Sequence, residues 1–115
     1  MVGGGGLAPA GRPVFKTIGI TGDCGIDLDN AHLCGPHGLD VDAQGRLYVV
    51  DTWHQRVQIF DPAGNYLSSI GNNYGGQPGQ FRSPSGVAVS ASGQVLISDT
   101  ENHRLQISEP YQFSW

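Results

Sequence analysis

The strongest constraint on the fold of this chain is an internal repeat. Residues 36–59 align without a gap with residues 84–107, each position meeting its counterpart 48 residues later, and ten of the 24 aligned pairs are identical. The identical pairs are Pro36/Pro84, Gly38/Gly86, Val41/Val89, Ala43/Ala91, Gly45/Gly93, Asp51/Asp99, Thr52/Thr100, Arg56/Arg104, Gln58/Gln106 and Ile59/Ile107. Repeats of this length are typical of β-propeller blades and of helical-repeat arrays. The fold is therefore expected to consist of stacked copies of one unit.

The spacing of apolar residues within the unit decides between these two architectures. Leu47 and Val49, for example, alternate with residues of the other face, which is the two-residue period of a β-strand. Gly45 and its counterpart Gly93 stand between the first two apolar runs, where a hairpin needs a turn. The first unit is predicted to contain four antiparallel strands, near residues 38–42, 46–51, 55–61 and 66–71.

Apolar residues occupy both faces of these strands. Tyr48 and Val50 alternate with Leu47 and Val49, so neither face is uniformly polar. A free-standing sheet would expose one of the two faces to water, whereas a sheet between two others buries both. The pattern therefore favours blades packed around a common axis, which is an all-β propeller.

A longer motif runs through both units: Pro, one residue, Gly and an aliphatic residue, then a further Gly, then Asp-Thr and Arg-aliphatic-Gln-aliphatic. This motif resembles the NHL repeat, whose members build propeller blades of four antiparallel strands, most often about six to a ring. Residues 36–71 match the repeat once and residues 81–115 match it again, while Phe15–Gly19 resembles Leu67–Gly71, the end of a repeat. The resemblance covers about 100 of the 115 residues.

The repeat divides the chain into a Gly-rich lead-in, residues 1–13, and an NHL-type propeller segment, residues 14–115. Within the segment, residues 14–20 are predicted to be the outer strand of a shared blade. At 48 residues a unit, the 115 residues hold about two and a half blades, which is too few to close a ring. Three explanations stay open: a fragment of a longer chain, a homotrimer that closes a six-bladed ring with shared strands, or another assembly.

Charge and hydropathy narrow the class of partner. The formal net charge is −4 with only six Lys and Arg residues, which disfavours nucleic acid and offers no polybasic patch for a membrane surface. No apolar run approaches the length of a membrane span. The N-terminus lacks the basic and apolar regions of a signal peptide, which predicts a cytoplasmic location and leaves secretion or a longer chain open.

Two clusters contain metal-ligating residue types. Cys24, His32, Cys34 and His37 are all possible zinc ligands, but their spacing matches no standard zinc finger. The two cysteines could also form a disulfide or remain thiols. Asp23, Asp27, Asp29 and Asn30 suggest a calcium loop, but the EF-hand register is absent, and a solvated acidic turn is favoured.

His37 is the sharpest candidate for a site. It follows Pro36 at the start of the innermost strand, where a propeller has its central channel. Some NHL-like enzymes, the peptidylamidoglycolate lyases, bind zinc through Pro-His pairs on innermost strands, so the resemblance implies a metal role for His37. The second unit has Ser85 at this position, so one chain offers a single such ligand, and three copies would offer three. The alternative is a solvated His that lines the channel.

The remaining site residues are assigned to contact or architecture. Trp53 stands in the turn after the second strand, where it either contacts a partner or packs on the adjacent loop. Two pairs recur in both units and are predicted to be structural, with the carboxylates capping turns and the arginines as partners across the hairpin. These pairs are Asp51 with Arg56 and Asp99 with Arg104.

These observations favour a binding and assembly scaffold over an enzyme. The expected partner is a protein, a peptide or a small ligand, contacted through Trp53, His37 and Ser85. No catalytic residue and no resident cofactor is predicted, with zinc as the one open possibility. The alternative is a metal-dependent propeller lyase or hydrolase whose channel site other blades or copies complete. Fold alone does not decide between the two.

Overall fold

The computed structural model describes residues 16–20, 22–25, 31–71 and 74–111. The strands within these ranges are β1 (Pro36–Val41), β2 (Leu47–Asp51), β3 (Arg56–Phe60), β4 (Tyr66–Ile70), β5 (Pro84–Val89), β6 (Val95–Asp99) and β7 (Arg104–Ser108). A single 3-10 turn follows β2 at Thr52–His54, and another follows β6 at Thr100–Asn102. No helix within the described ranges has the length and apolar character needed to cross a membrane. The all-β fold class is confirmed.

The strands form two antiparallel sheets, each built from strands that are consecutive in the chain. The first sheet has the order β1-β2-β3-β4, and the second has the order β5-β6-β7. Asp51 lies opposite Arg56 between β2 and β3, as Asp99 lies opposite Arg104 between β6 and β7. The sheets therefore repeat one register 48 residues apart, and they are two blades of an incomplete propeller ring.

The core lies between the two blades. The first blade contributes Tyr48, Val50, Val57 and Ile59, the second contributes Val95 and Ile97, and Phe81 joins them from the connection. Each of these side chains is at most 1% exposed. Burying one such side chain stabilises the fold by about 1.5–3 kcal/mol. The face of one blade is thus covered by the opposite face of the next.

The inner strands β1 and β5 lie side by side, and glycines allow their close approach. A Cβ atom added to Gly38 would lie 2.8 Å from the Ser85 carbonyl oxygen and 3.0 Å from the Gly86 Cα. At the other end of the strands, the Val89 N–H donates to Asp40 Oδ2 over 2.7 Å. The recurring Pro-x-Gly motif therefore marks the contact between neighbouring inner strands.

The predicted outer strand at residues 14–20 falls only partly within the described residues. Residues 16–20 carry no strand in this chain, and residues 14 and 15 lie outside the described ranges. Residues 109–111 also carry no strand, and residues 112–115 and the lead-in 1–13 lie outside as well. The strand at 14–20 stays a prediction, because its partner would come from another copy.

Candidate functional site

A chain of hydrogen bonds joins the two blades where β1 and β5 begin. His37 Nδ1 lies 2.8 Å from the Gly35 carbonyl oxygen and 3.0 Å from Thr52 Oγ1. The Thr52 hydroxyl donates its own proton to the Pro84 carbonyl oxygen over 2.7 Å, so Oγ1 can only accept from His37. Neutral His37 therefore carries its proton on Nδ1, and Nε2 has the lone pair. The His37 residue is exposed.

Ser85 holds the equivalent position in the second blade. Its Oγ lies 2.5 Å from Thr100 Oγ1 and 3.2 Å from Ser98 Oγ. Thr100 is the counterpart of Thr52, so each blade pairs the second residue of its inner strand with the Thr that follows β2 or β6. His37 in the first blade and Ser85 in the second thus lie at the same end of their inner strands.

Trp53 lies next to this chain of hydrogen bonds. Its backbone N–H donates to the Cys34 carbonyl oxygen over 3.0 Å, and its indole packs against Gly35, where a Cβ would overlap the ring. The indole is nevertheless 56% exposed. Trp53 therefore packs on the adjacent loop and also presents apolar surface, while its contact with a partner stays a prediction. We call His37, Trp53 and Ser85 with the two 3-10 turns the loop face.

Beneath the loop face, Asp51 is a completely buried carboxylate with three donors. Oδ1 accepts the Cys34 N–H over 2.7 Å, while Oδ2 accepts from Arg56 Nε at 2.7 Å and contacts His54 Nδ1 at 2.8 Å. Arg56 in turn donates to the His32 carbonyl oxygen. The carboxylate thus ties the entry of the blade to β3.

The second blade repeats this arrangement around Asp99. Oδ1 accepts the Arg82 N–H over 2.8 Å, and Oδ2 accepts from Asn102 and Arg104, both at 2.8 Å. Burial alone would raise the pKa of Asp99, but these hydrogen bonds outweigh it and hold the pKa below its usual value.

The predicted role of Asp51 and Asp99 as turn caps is wrong. Neither side chain bonds to the backbone of the 3-10 turn that follows it. Both carboxylates instead accept an N–H from a residue 17 positions earlier, Cys34 or Arg82. From the following turn, each carboxylate is contacted by a side chain, His54 or Asn102, and not by the backbone. Sequence reasoning also passed over Gln106, which donates to the Gln80 carbonyl oxygen at 2.7 Å, although its identity with Gln58 was a signal.

A second polar cluster lies at the β1–β2 turn. Asp42 Oδ2 accepts from Arg46 Nε at 2.6 Å and from the Tyr48 hydroxyl at 2.9 Å. Burial and the bond to Asp42 raise the pKa of Tyr48 to about 12. Burial alone would raise the pKa of Asp42. The hydrogen bonds from Arg46 and Tyr48 lower it by more, so the pKa of Asp42 lies below its usual value. The counterparts Ser90 and Gln94 carry no charge, so this cluster does not recur.

The structure answers the question that the two cysteines left open. Cys24 and Cys34 form a disulfide, so neither is available as a thiolate, and the four-residue zinc set is wrong. Of the suggested calcium loop, Asp27, Asp29 and Asn30 lie outside the described residues. No group of three or more His, Cys, Asp or Glu residues among those described could hold a metal ion.

The outer faces of the two blades expose apolar side chains. On β1, Leu39 is 63% and Val41 is 48% exposed, and on β7, Leu105 is 68% and Ile107 is 63% exposed. The counterparts of Leu105 and Ile107 in the first blade, Val57 and Ile59, are at most 1% exposed. The counterparts of Leu39 and Val41, which are Val87 and Val89, pack against the core. The same positions are therefore covered between the blades and open at the two ends.

Fold and site together define a segment of a β-propeller, with two blades joined through their apolar faces. The NHL repeat family matches residues 33–60 and again residues 81–107. The chain therefore contains two NHL repeats, as the motif in its sequence indicated.

One relative is similar over a short stretch. Protein lin-41 of Caenorhabditis elegans is 49% identical over 39 residues, which is 34% of this chain. The match spans 3% of the length of lin-41. The relationship therefore concerns a repeat and not the whole of either protein.

Proposed function

We propose that this chain is a non-catalytic assembly and binding module, in which several copies complete an NHL propeller that binds a partner on its loop face. NHL repeats generally mediate protein interactions, which supports the class of function. The identity of the partner surface and the oligomeric state are what we propose beyond this class of function.

The open outer faces carry the assembly part of the proposal. Leu105 and Ile107 of one copy can share a core with Leu39 and Val41 of the next, because Val57 and Ile59 share one core with Val87 and Val89 inside the chain. Such a contact is head-to-tail, so it propagates until rotation closes a ring. Two blades in each copy and about six blades in a ring give three copies.

The loop face carries the binding part of the proposal. Exposed Trp residues are enriched where proteins bind partners, and Trp53 stands beside a hydrogen-bonding His and Ser. A closed ring would repeat this set three times around one mouth of the channel. We propose a protein, a peptide or a small ligand as the occupant of that face.

Light scattering on the 115-residue protein tests the assembly. We expect a mass about three times 12.2 kDa. Leu105→Asp and Leu39→Asp each remove one of the two faces, so each variant alone should be monomeric. Mixed together, they still share one intact contact and should form a one-to-one pair. Trp53→Ser, which lies on neither face, should keep the mass of the parent protein.

A monomeric parent protein at about 100 μM would contradict the proposal. So would Leu105→Asp and Leu39→Asp variants that keep the mass of the parent. Because Leu39 and Leu105 are exposed in the single chain, both variants should retain the unfolding midpoint of the monomer, and this measurement separates lost assembly from lost folding.

A metal-dependent propeller enzyme is the second candidate, and the tautomer of His37 favours it. Metal-bound His residues usually donate their second ring N–H to a neighbouring oxygen, as His37 Nδ1 does to Gly35. A single chain does not fit zinc, because the described residues contain no set of three ligands. Three copies would bring three His37 side chains to one mouth of the ring. Zinc titration should then saturate at one ion per three chains and be abolished by His37→Ala; equal binding by both proteins would exclude this candidate.

A further inference from the structure

We infer that residues 16–20 of one copy add to the free edge of β7 in the next copy as its fourth strand, with Lys16 opposite Ile107. This inference rests on the proposed assembly and states how it closes. The first blade is complete, because β4 pairs with the outer edge of β3. In the second blade, β7 has no partner on its outer edge among the described residues. Unpaired edges are where another chain can add a strand.

Residues 16–20 lie against the first blade much as the end of β4 lies against the second. Gly71 has a φ of +77°, and a Cβ there would overlap the ring of Phe81. Gly19 has a φ of +102°, and a Cβ there would lie 3.5 Å from Leu33 Cδ1. Leu33 and Phe81 are counterparts 48 residues apart, and each leads into its blade. Gly19 on Leu33 therefore repeats Gly71 on Phe81.

The side chains before Gly19 also contact the first blade. Ile18 and Lys16 lie over the β3–β4 turn of the first blade, where a Cβ on Gly64 would be 3.3 Å from Ile18 Cδ1 and 3.0 Å from Lys16 Cε. The segment is thus held on its own copy. Docking that blade onto the second blade of a neighbour would bring the segment to the edge of β7, as β4 is brought to β3.

The register follows from the first blade. There Val57 lies opposite Ile70, and Ile59 lies opposite Ser68. The counterpart of Ile59 on β7 is Ile107, and aligning Gly19 with Gly71 makes Lys16 the counterpart of Ser68. Lys16 should therefore lie opposite Ile107, and by the same alignment Ile18 should lie opposite Leu105. The pair Leu105/Ile18 would then be apolar, like its counterpart Val57/Ile70 in the first blade. This match supports the proposed register over neighbouring registers.

Cross-linking through introduced cysteines tests the register in the full chain. Lys16→Cys with Ile107→Cys places two thiols directly opposite each other, so oxidation should link copies into covalent dimers and trimers on non-reducing gels. Thr17→Cys with Ile107→Cys is the matched control, because a shift of one residue puts the thiols on opposite faces of the sheet. Mixing the two single variants Lys16→Cys and Ile107→Cys should give a covalent dimer, which shows that the link joins different copies.

Light scattering under conditions that keep the introduced thiols reduced separates this inference from the proposed assembly. If the double variants hold the trimer mass and the control links as well as the test pair, the register is wrong. Absence of any link in an intact trimer overturns the strand addition and leaves assembly through the apolar faces standing. If the variants with Ile107→Cys are monomeric, the pair Thr17→Cys with Gln106→Cys tests the same register. An intact trimer of that double variant without any covalent link would overturn the inference. A monomeric parent protein overturns both.

Discussion

Asp51 and Asp99 occupy equivalent positions in the two blades, but their ion pairs differ in exposure to water. Both carboxylates are completely buried and accept a backbone N–H from the loop that enters their blade. Their Arg partners differ, because the Arg56 side chain is 5% exposed whereas that of Arg104 is 30% exposed. The ion pair in the first blade is therefore the more fully removed from water.

Asp51→Asn should be more destabilising than Asp99→Asn. Removing one charge of a buried pair costs about 3–5 kcal/mol, because the other charge stays buried without compensation. Arg104 can keep contact with water after Asp99→Asn, so that variant should lose less. Urea unfolding of both variants measures the difference, with Asp61→Asn in an exposed turn as the control. Equal losses at Asp51 and Asp99 would show that the exposure of the Arg does not set the cost.

The stability of the protein should fall in acid. Bonds from Arg82, Asn102 and Arg104 hold the pKa of Asp99 below the usual value of 3.8, despite its burial. A group whose pKa is lower in the folded state adds stability above its unfolded pKa and loses it as pH falls through the folded pKa. The free energy of unfolding should therefore be steady above about pH 5 and decrease below pH 3.8. Asp99→Asn should make the decrease shallower, and an unchanged slope would contradict this assignment.

At the scale of elements, glycine allows the close approach of the inner strands, and the Asp40 side chain adds one hydrogen bond from Val89. The sequence predicted the strands of the first blade to within about two residues, because alternation and turn residues are local signals. The contact of β1 with β5 was not foreseen, since a Gly in a strand indicates a close approach without naming the partner.

Gly38→Ala should destabilise the protein by about 1–3 kcal/mol, because a Cβ would press on Ser85 and Gly86 of the neighbouring blade. Gly76→Ala is the matched control: its Cβ would meet nothing closer than Asn102 Oδ1 at 3.9 Å. Thermal or urea unfolding compares the two. If both variants unfold together with the parent protein, the inner strands are not as close as the structure places them.

The Cys24–Cys34 disulfide holds the segment that precedes the first blade. Cys34 also bonds through its backbone to Asp51 and Trp53, so the bridge secures residues 22–25 to the blade. A cysteine spacing of ten residues could not decide whether this bridge forms, because sequence spacing does not give the distance between Cα atoms.

Reduction should lower the free energy of unfolding by up to about 3 kcal/mol, as expected for a short closed loop. Unfolding with and without reductant measures the loss. The double variant Cys24→Ser with Cys34→Ser should unfold at the midpoint of the reduced parent protein, and reductant should not change that midpoint. A parent protein whose midpoint is insensitive to reductant would show that the bridge adds no stability.

At the scale of the whole molecule, folding and the proposed assembly use the same kind of apolar face in different places. Ile97 is completely buried between the blades, whereas Ile107 in the neighbouring strand is 63% exposed. The single chain has one covered contact between its blades and two open faces at its ends.

Ile97→Ala and Ile107→Ala should therefore separate folding from assembly. Ile97→Ala leaves a cavity in the core and should cost about 2–5 kcal/mol of monomer stability. Ile107→Ala should leave that stability nearly unchanged and lower the affinity between copies. Urea unfolding of dilute protein and light scattering across a dilution series measure the two effects. Loss of monomer stability in Ile107→Ala would mean that this side chain already packs within the single chain.

The sequence by itself determined the repeat, the strand period and the NHL family, because these are properties of residue type and spacing along the chain. Only the tertiary structure decided which groups meet across the repeat: Cys34 with Asp51, Gly38 with Ser85, and Gly19 with Leu33. In each of these contacts at least one side is a backbone group or a glycine, so the sequence pattern does not name the partner. Burial, likewise, depends on whether another blade stands beside a face, and equal residues 48 positions apart differ in exposure for that reason.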